Sequence, residues 1–93
     1  MKDLAFFTYL DIINCQLELR RYANQDGRWL AKIVNSDIKD GAVLMGIYGT
    51  GKTPDEAIQD YVDQIAGKKL IIDAASDRRR EFEVPVFIQY NAL

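Results

Sequence analysis

The sequence predicts a single α+β domain, an antiparallel sheet of three to five strands with helices packed on one face. Short segments that alternate apolar and polar residues, turn-like connections between them and one strongly amphipathic segment support this class. The elements follow the order α-β-β-β-α-β-β. Residues 1–14 hold an N-terminal helix, 15–88 hold the sheet and a second helix, and 89–93 form a tail, so that residues 1–93 are one domain.

The N-terminal segment has the pattern of a helix with one buried face. Asp3 is a suitable N-cap for a helix over residues 4–13. Polar Thr8, Asp11 and Asn14 recur every three residues, which leaves the apolar side chains on the opposite face. The predicted core positions of this helix are Phe6, Phe7, Leu10 and Ile13.

Three strands are predicted to follow as an antiparallel meander. Residues 16–20 alternate strictly, and residues 29–34 form a second strand after a turn at 24–27, where Asp-Gly suits a positive φ. Residues 35–41 are predicted to be a polar loop. Residues 42–48 are nearly all apolar, which predicts a central strand covered on both faces.

The clearest element is a second helix over residues 54–66. Thr53 is an N-cap, Pro54 occupies the first helical position, and Glu56 completes a capping box. Gly67 is the expected residue just beyond the C-terminus. One apolar stripe faces the predicted core and consists of Ala57, Ile58, Tyr61, Val62, Ile65 and Ala66.

Two further strands are predicted after this helix. Residues 68–72 lead into a short apolar strand, and residues 74–80 form a loop. Residues 81–88 alternate again, but Pro85 has no N–H for a sheet ladder, so this strand lies at an edge or is bulged. Its predicted inward side chains are Phe82, Val84, Val86 and Ile88.

Composition excludes several kinds of chemistry. The chain has no histidine and one cysteine, Cys15, so it has no Ser-His-Asp or Cys-His nucleophile, no Cys/His zinc site and no internal disulfide. We therefore expect no catalytic residues, no metal and no cofactor. No stretch approaches the roughly 20 apolar residues of a membrane span, and the start of the chain is a poor signal peptide. The expected location is the cytoplasm, without membrane contact.

One segment matches a phosphate-binding loop in full. Residues 46–53 fit G-x-x-x-x-G-K-[ST] between an apolar segment and a helix. In that interpretation ATP or GTP and Mg²⁺ would be bound by the backbone at Gly46 and Gly51 and by the side chains of Lys52 and Thr53.

The same segment also has a purely structural interpretation. Gly46 allows a bulge or close packing in a strand, whereas Gly49 and Gly51 suit the turn out of the sheet. Thr53 already serves as a helix cap. A phosphate-loop fold needs several β-α units, and the 93-residue chain leaves no room for them. Nucleotide binding is therefore kept as the second alternative function.

The run from Gly49 to Ala57 has the pattern G-x-G-x-T-x-x-E-A and follows three predicted strands. This arrangement resembles the end of a double-stranded RNA-binding domain, which implies nucleic-acid binding as the first alternative function. That family places phosphate-binding lysines at the start of this helix, where the present chain has Asp55 and Glu56. The formal net charge of −2 also differs from the basic charge usual in nucleic-acid binders.

The junction over residues 48–58 also resembles the strand-to-helix junction of HicB-like antitoxin domains. Those domains have three antiparallel strands, a helix packed across them and another strand, and residues 15–88 follow that order. The run 42–86 is similar to small uncharacterised proteins of bacteriophages and prophages. Because HicB proteins bind a toxin partner, the resemblance implies a protein-binding module.

We therefore predict a small acidic protein that binds a protein partner without catalysis. An accessory protein of a phage or prophage, antitoxin-like or an inhibitor of a host factor, fits this description. The acidic helix face and the basic loop are the predicted contact regions, and a homodimer through the edge strand at Pro85 is a further expectation. The predicted partner-binding residues are Asp55, Asp60, Asp63, Arg78, Arg79 and Arg80.

Overall fold

The structure, a computed structural model, describes residues 4–22 and 27–90. The predicted cap Asp3, the turn residues 24–26 and the tail residues 91–93 lie outside these ranges. Antiparallel sheets and two helices confirm the predicted α+β class within the described residues, and the element order roughly matches the predicted one. The elements are β1 (Leu4–Ala5), α1 (Phe6–Ile13), β2 (Leu17–Tyr22), β3 (Arg28–Ile33), β4 (Ser36–Asp40), β5 (Val43–Met45), β6 (Gly49–Gly51), α2 (Pro54–Ile65), β7 (Lys69–Ile72), β8 (Arg80–Glu83) and β9 (Ile88–Gln89).

Residues 28–40 form a long extended run that is interrupted at Val34 and Asn35 and takes part in both larger sheets. Its first part, β3, lies between β2 and β6, and its second part, β4, lies between β5 and β7, with β8 beyond β7. Asn35 has a φ of 57°, which turns the chain at the break. The Val34 N–H donates to the Gln16 carbonyl and the Asp73 N–H donates to the Asn35 carbonyl, both at 2.9 Å. The backbone groups at the break are thus paired while the neighbouring strand changes from β2 to β7.

The predicted polar loop at residues 35–41 is wrong, because most of it is β4. Ser36 and Ile38 are buried on one face of this strand, while Asp37 and Lys39 lie on the other. Because the inward position 36 is a serine and the outward positions are charged, the segment has too few apolar residues to show the alternation of a strand. The chain reverses at Gly41, whose φ of 62° supplies the positive angle that a two-residue hairpin needs.

The predicted central strand at residues 42–48 is also wrong. The segment forms β5 and then leaves the sheet until β6, and each of these strands has a hydrogen-bonded neighbour on one side only. Val43 is 59% exposed and Leu44 is 41% exposed. An apolar composition is common to buried strands and exposed edges, so it does not distinguish between them. Gly49 and Gly51 were predicted to lie in a turn, and this is also wrong, because both lie in β6.

Helix α2 confirms the prediction almost to the residue. The Thr53 hydroxyl accepts a hydrogen bond from the Glu56 N–H at 3.1 Å, and Pro54 opens the helix. The Glu56 carboxylate accepts a hydrogen bond from the Lys52 N–H at 3.1 Å, one residue before the usual partner of a capping box. Local sequence therefore determines where this helix begins. Its buried side chains are Ala57, Ile58, Tyr61, Val62 and Ile65.

Helix α1 begins two residues later than predicted and exposes one predicted core residue. Leu4–Ala5 pairs with β9 as a short parallel strand, and Ala5 caps the helix without a side-chain hydrogen bond. Because the helix starts at Phe6, its inward positions include Tyr9 in place of Phe7, which is 48% exposed. The Phe7 ring packs edge-on against the Tyr90 ring, and the two ring centres are 5.8 Å apart.

The predicted strand at residues 81–88 is broken after β8. The Ile88 N–H donates to the Pro85 carbonyl at 3.3 Å, so the chain turns at the proline and Val86 is left 78% exposed. Pro85 thus lies beyond the edge strand instead of within it. Gln89 belongs to β9, and the Tyr90 hydroxyl donates to Asp55, so these two residues are part of the fold and not of the predicted tail. In the described ranges, no helix has the length and apolar character needed to span a membrane.

Candidate binding surfaces

The phosphate-loop match lies in a strand that packs directly under a helix. A Cβ placed on Gly49 would lie 2.5 Å from the Cβ of Tyr61, and one placed on Gly51 would lie 2.6 Å from the Ala57 backbone nitrogen. A Cβ on Gly46 would have ordinary contacts, the nearest at 3.7 Å from the Lys32 ammonium. Two of the glycines therefore allow β6 to approach α2, whereas Gly46 is neither in a strand nor closely packed.

Two backbone donors of this segment are occupied by carboxylates of the chain itself. The Lys52 N–H donates to the Glu56 carboxylate at 3.1 Å, and the Thr50 N–H donates to the Asp60 carboxylate at 2.8 Å. The Glu56 N–H is taken by the Thr53 hydroxyl. Phosphate loops bind through such N–H groups. A phosphate here would have to displace two carboxylates that already hold the loop.

We therefore expect millimolar ATP or GTP with Mg²⁺ to leave the melting temperature unchanged. A ligand that binds the folded state at a concentration well above its Kd raises that temperature by mass action. Differential scanning fluorimetry with and without nucleotide makes the measurement. A shift that Lys52→Gln abolishes would instead support the nucleotide-binding alternative.

The predicted acidic contact residues of α2 bond mainly to their own chain. Asp55 accepts a hydrogen bond from the Tyr90 hydroxyl at 2.6 Å, and Asp63 accepts one from Gln59 at 2.9 Å. Asp60 accepts hydrogen bonds from the Thr50 N–H and from the Gln64 amide. The helix carries four acidic residues and no basic one, so its outward face remains negative. Its carboxylates nevertheless have structural partners before any binding partner is considered.

The three predicted basic residues have different surroundings. The Arg80 guanidinium donates to the Ile13 carbonyl at 2.9 Å and lies 5.5 Å from the centre of the Phe82 ring. Arg79 forms an ion pair with Glu81 at 3.5 Å, and both side chains are partly exposed. Arg78 is exposed on the loop before β8. The loop therefore has two arginines engaged within the fold.

An uncharged edge, residues 43–51, runs along the outside of both larger sheets. The part formed by β6 is covered by α2: Asp60 accepts a hydrogen bond from the Thr50 N–H, and the Gln64 amide donates to the Tyr48 carbonyl at 2.9 Å. In β5, Val43 and Met45 lie opposite their partners in β4 at the hydrogen-bonded positions of the hairpin. The N–H and C=O of Leu44 consequently point away from the sheet.

A depression with a volume of about 670 Å³ adjoins this edge. Leu44 forms one side of it, and the turn at residues 73–76 forms another. Lys32, Asp37 and Asp73 contribute charged groups. Apolar Ala74 and Ala75 lie within that turn. A side chain that entered the depression beside β5 would meet both apolar and charged groups.

The face of the β2-β3-β6 sheet that points away from α2 carries cations and tyrosines. We call it the basic sheet face and define it by Arg20, Tyr22, Arg28, Lys32 and Tyr48. The Lys32 ammonium lies 5.0 Å from the centre of the Tyr48 ring. Tyr22 most strongly, and then Glu18, raises the pKa of the neighbouring Arg20 guanidinium. Tyr48 is 46% exposed and Tyr22 is 37% exposed.

The basic sheet face was not predicted from the sequence, although the alternation of residues in β3 indicates an outward basic side. In β3 the inward residues Trp29, Ala31 and Ile33 alternate with the outward residues Arg28, Leu30 and Lys32. The outward residues could be recognised as one surface only once β2 was paired with β3 in register.

The part of the chain that the structure describes contains no group of three or more His, Cys, Asp or Glu placed to hold a metal ion. No family model, curated protein or solved structure matches the chain.

Proposed function

We propose that this protein is a non-catalytic protein-binding module, and that it binds an extended segment of a partner protein as an added strand along β5. The observation that carries the proposal is the outward N–H and C=O of Leu44 on an uncharged edge strand. An edge of this kind is a template for another strand, and peptides that bind in this way gain affinity from main-chain hydrogen bonds.

The other edges contrast with β5. The edge of β6 is covered by Asp60 and Gln64 of α2. The edge strands β2 and β8 have the sequences LELRRY and REFE, in which three of six and three of four residues are charged. Charged residues and covering groups are ways in which proteins prevent strand addition. The open, apolar β5 is therefore the best-suited edge among those of the described residues, and it replaces the edge at Pro85 as the proposed surface.

The adjoining depression supplies selectivity for the added segment. Alternate side chains of a strand point to the same face, so every second residue of a bound segment would point towards the depression. Leu44 and the two alanines offer apolar contacts there, and Lys32, Asp37 and Asp73 offer charged ones. The proposed partner segment therefore has, at alternate positions, side chains that combine an apolar part with a polar end. An antitoxin-like or inhibitory role for a phage or prophage is part of this proposal, and the resemblance to HicB-like domains supports a protein partner.

We expect the immobilised protein to select alternating, extended sequences from a random twelve-residue peptide library. Leu44→Pro should abolish binding, because proline removes the outward N–H and adds bulk at the edge while the inward bonds of Val43 and Met45 remain. Leu44→Ala is the matched control, which keeps the N–H and should weaken binding only modestly. Isothermal titration calorimetry of a selected peptide against each variant provides the measurement.

Hydrogen exchange of the wild-type protein with the selected peptide provides a readout that does not depend on any variant. Slower exchange at residues 43–47 supports strand addition at β5. Slower exchange confined to β2 or to α2 would contradict the proposal. A wild-type dimer that Leu44→Pro dissociates would assign the edge to a second copy of the chain and exclude a separate partner.

A further inference from the structure

We propose that the basic sheet face binds single-stranded nucleic acid, with bases stacked on its tyrosines and phosphates held by its cations. This site adjoins the depression beside β5 and shares Lys32 with it. It uses no backbone group of β5, so the proposal does not depend on the strand-addition proposal. It also differs from the predicted resemblance to a double-stranded RNA-binding domain, because it assigns no role to the start of α2.

The pairing of β2 with β3 brings the cations together. Arg20 lies opposite Leu30, and Glu18 lies opposite Lys32, with Arg20 bonded to Glu18 at 3.2 Å. Tyr22 lies opposite Arg28. Neighbouring strands are about 4.8 Å apart, and side chains two residues apart on one face are about 7 Å apart. The three cations therefore lie on one face together with the carboxylate of Glu18, and they outnumber it.

The two tyrosines distinguish this patch from a simple basic surface. Tyr22 lies beside Arg20 at one end of the patch, and Tyr48 lies beside Lys32 at the other. Exposed aromatic rings on an open sheet bind unpaired bases by stacking, and neighbouring cations hold the backbone. The bases of a duplex are already stacked on one another, so a flat sheet has no access to their faces. The combination therefore favours a single strand over a duplex.

The acidic charge of α2 disfavours a nucleic acid on the opposite side of the same sheet. The inward residues of β3 face α2, whose described residues carry four acidic groups and no basic one. A polyanion would be repelled from that side and attracted to the sheet side. The acidic composition of the chain therefore orients a nucleic acid and does not exclude one.

The first test is fluorescence anisotropy with labelled oligo(dT) and oligo(rU) single strands and with a duplex of the same length. We expect both single strands to bind more tightly than the duplex. Release of counterions from about three phosphate contacts should weaken binding roughly 20-fold between about 50 mM and about 200 mM salt. Preference for rU over dT would identify RNA as the natural source, and the reverse would identify DNA.

Charge-matched double variants locate the site. Arg20→Gln with Lys32→Gln removes two cations from the face, and should weaken binding and make it less sensitive to salt. Arg78→Gln with Lys68→Gln removes one arginine and one lysine from other exposed positions and should change little. Tyr48→Ala should weaken binding at least about fivefold, since each stacked base contributes substantially. All three variants alter exposed or half-exposed side chains, and circular dichroism checks that they fold.

Three results would overturn the proposal. The first is the absence of binding at low salt. The second is equal weakening by the two double variants, which would show attraction to total charge only. The third is that a polyglutamate peptide binds as tightly as the single strands and that Tyr48→Ala weakens both interactions equally. That result would assign the face to an acidic protein. Leu44→Pro should leave nucleic-acid binding unchanged, so failure of one proposal is distinguishable from failure of the other.

Discussion

Replacing Gly49 with alanine should destabilise the fold by roughly 3 kcal/mol or more. The new Cβ would lie 2.5 Å from both the Cβ and the backbone nitrogen of Tyr61, and it would also meet the Ala57 carbonyl oxygen. Two of these three groups belong to the backbone of α2, so the clash is relieved only if the helix moves away from β6. Urea unfolding monitored by tryptophan fluorescence provides the free energy of unfolding.

Gly46→Ala is the matched control for this prediction. Its Cβ would meet atoms no closer than 3.7 Å, and its φ is not positive, so we expect a change within about 0.5 kcal/mol. The comparison also separates two interpretations of the segment. A phosphate loop depends on the glycines at positions 46 and 51, whereas helix packing depends on Gly49 and Gly51. Equal stability of the Gly49→Ala and Gly46→Ala variants would contradict the close packing of Gly49 against α2.

Tyr61→Phe should cost about 1–3 kcal/mol of stability, because it removes one hydroxyl from a buried network. Tyr61 is 1% exposed, and its hydroxyl accepts a hydrogen bond from the Ile33 N–H at 3.2 Å. The Ser36 hydroxyl donates to the Ile33 carbonyl at 2.6 Å, which leaves the Tyr61 hydroxyl to donate to Ser36 at 3.3 Å. Phenylalanine would leave the Ile33 N–H unpaired at the break between β3 and β4. Tyr48→Phe, at an exposed position, is the control and should be nearly neutral.

The pH dependence provides an independent test of the same network. Burial raises the pKa of Tyr61 above the ordinary value near 10, although bonds to Ser36 and Ile33 oppose the shift. The unfolded chain then loses this proton before the folded chain does. The contribution of Tyr61 to the free energy of unfolding is fully present below about pH 10. It falls as the pH rises towards the pKa of Tyr61 in the folded protein. The stability difference between wild type and Tyr61→Phe should therefore narrow above pH 10. A constant difference up to alkaline unfolding would contradict the assignment.

The elements whose limits depend on neighbouring residues were predicted correctly. The limits of α2 depend on Thr53, Pro54 and Glu56, which lie within four residues of one another, and the predicted helix was confirmed nearly to its ends. The break at Asn35 depends instead on which strand, β2 or β7, supplies the next hydrogen-bonding partner. That choice involves residues distant along the chain, so the polar character of the segment was interpreted as a loop.

The candidate surfaces show the same limit. Asp55 and Asp60 were predicted to be free for a partner because a helix face with these residues normally faces solvent. Their bonds to Tyr90 and to the Thr50 N–H join residues that only the tertiary fold brings together. The basic sheet face was missed for the opposite reason, since its cations are scattered in the sequence and converge only in the paired strands.

The cover that α2 places over the edge of β6 links the stability of the helix to the solubility of the protein. If the helix detaches, the whole edge over residues 43–51 loses its cover. Residues 43–48 of this edge are uncharged and contain one glycine and no proline, which is the composition of strands that aggregate. Partial unfolding would then lead to intermolecular sheets instead of a soluble intermediate. Substitutions that loosen α2, such as Gly49→Ala, are for this reason expected to lower the yield of folded protein as well as its free energy of unfolding.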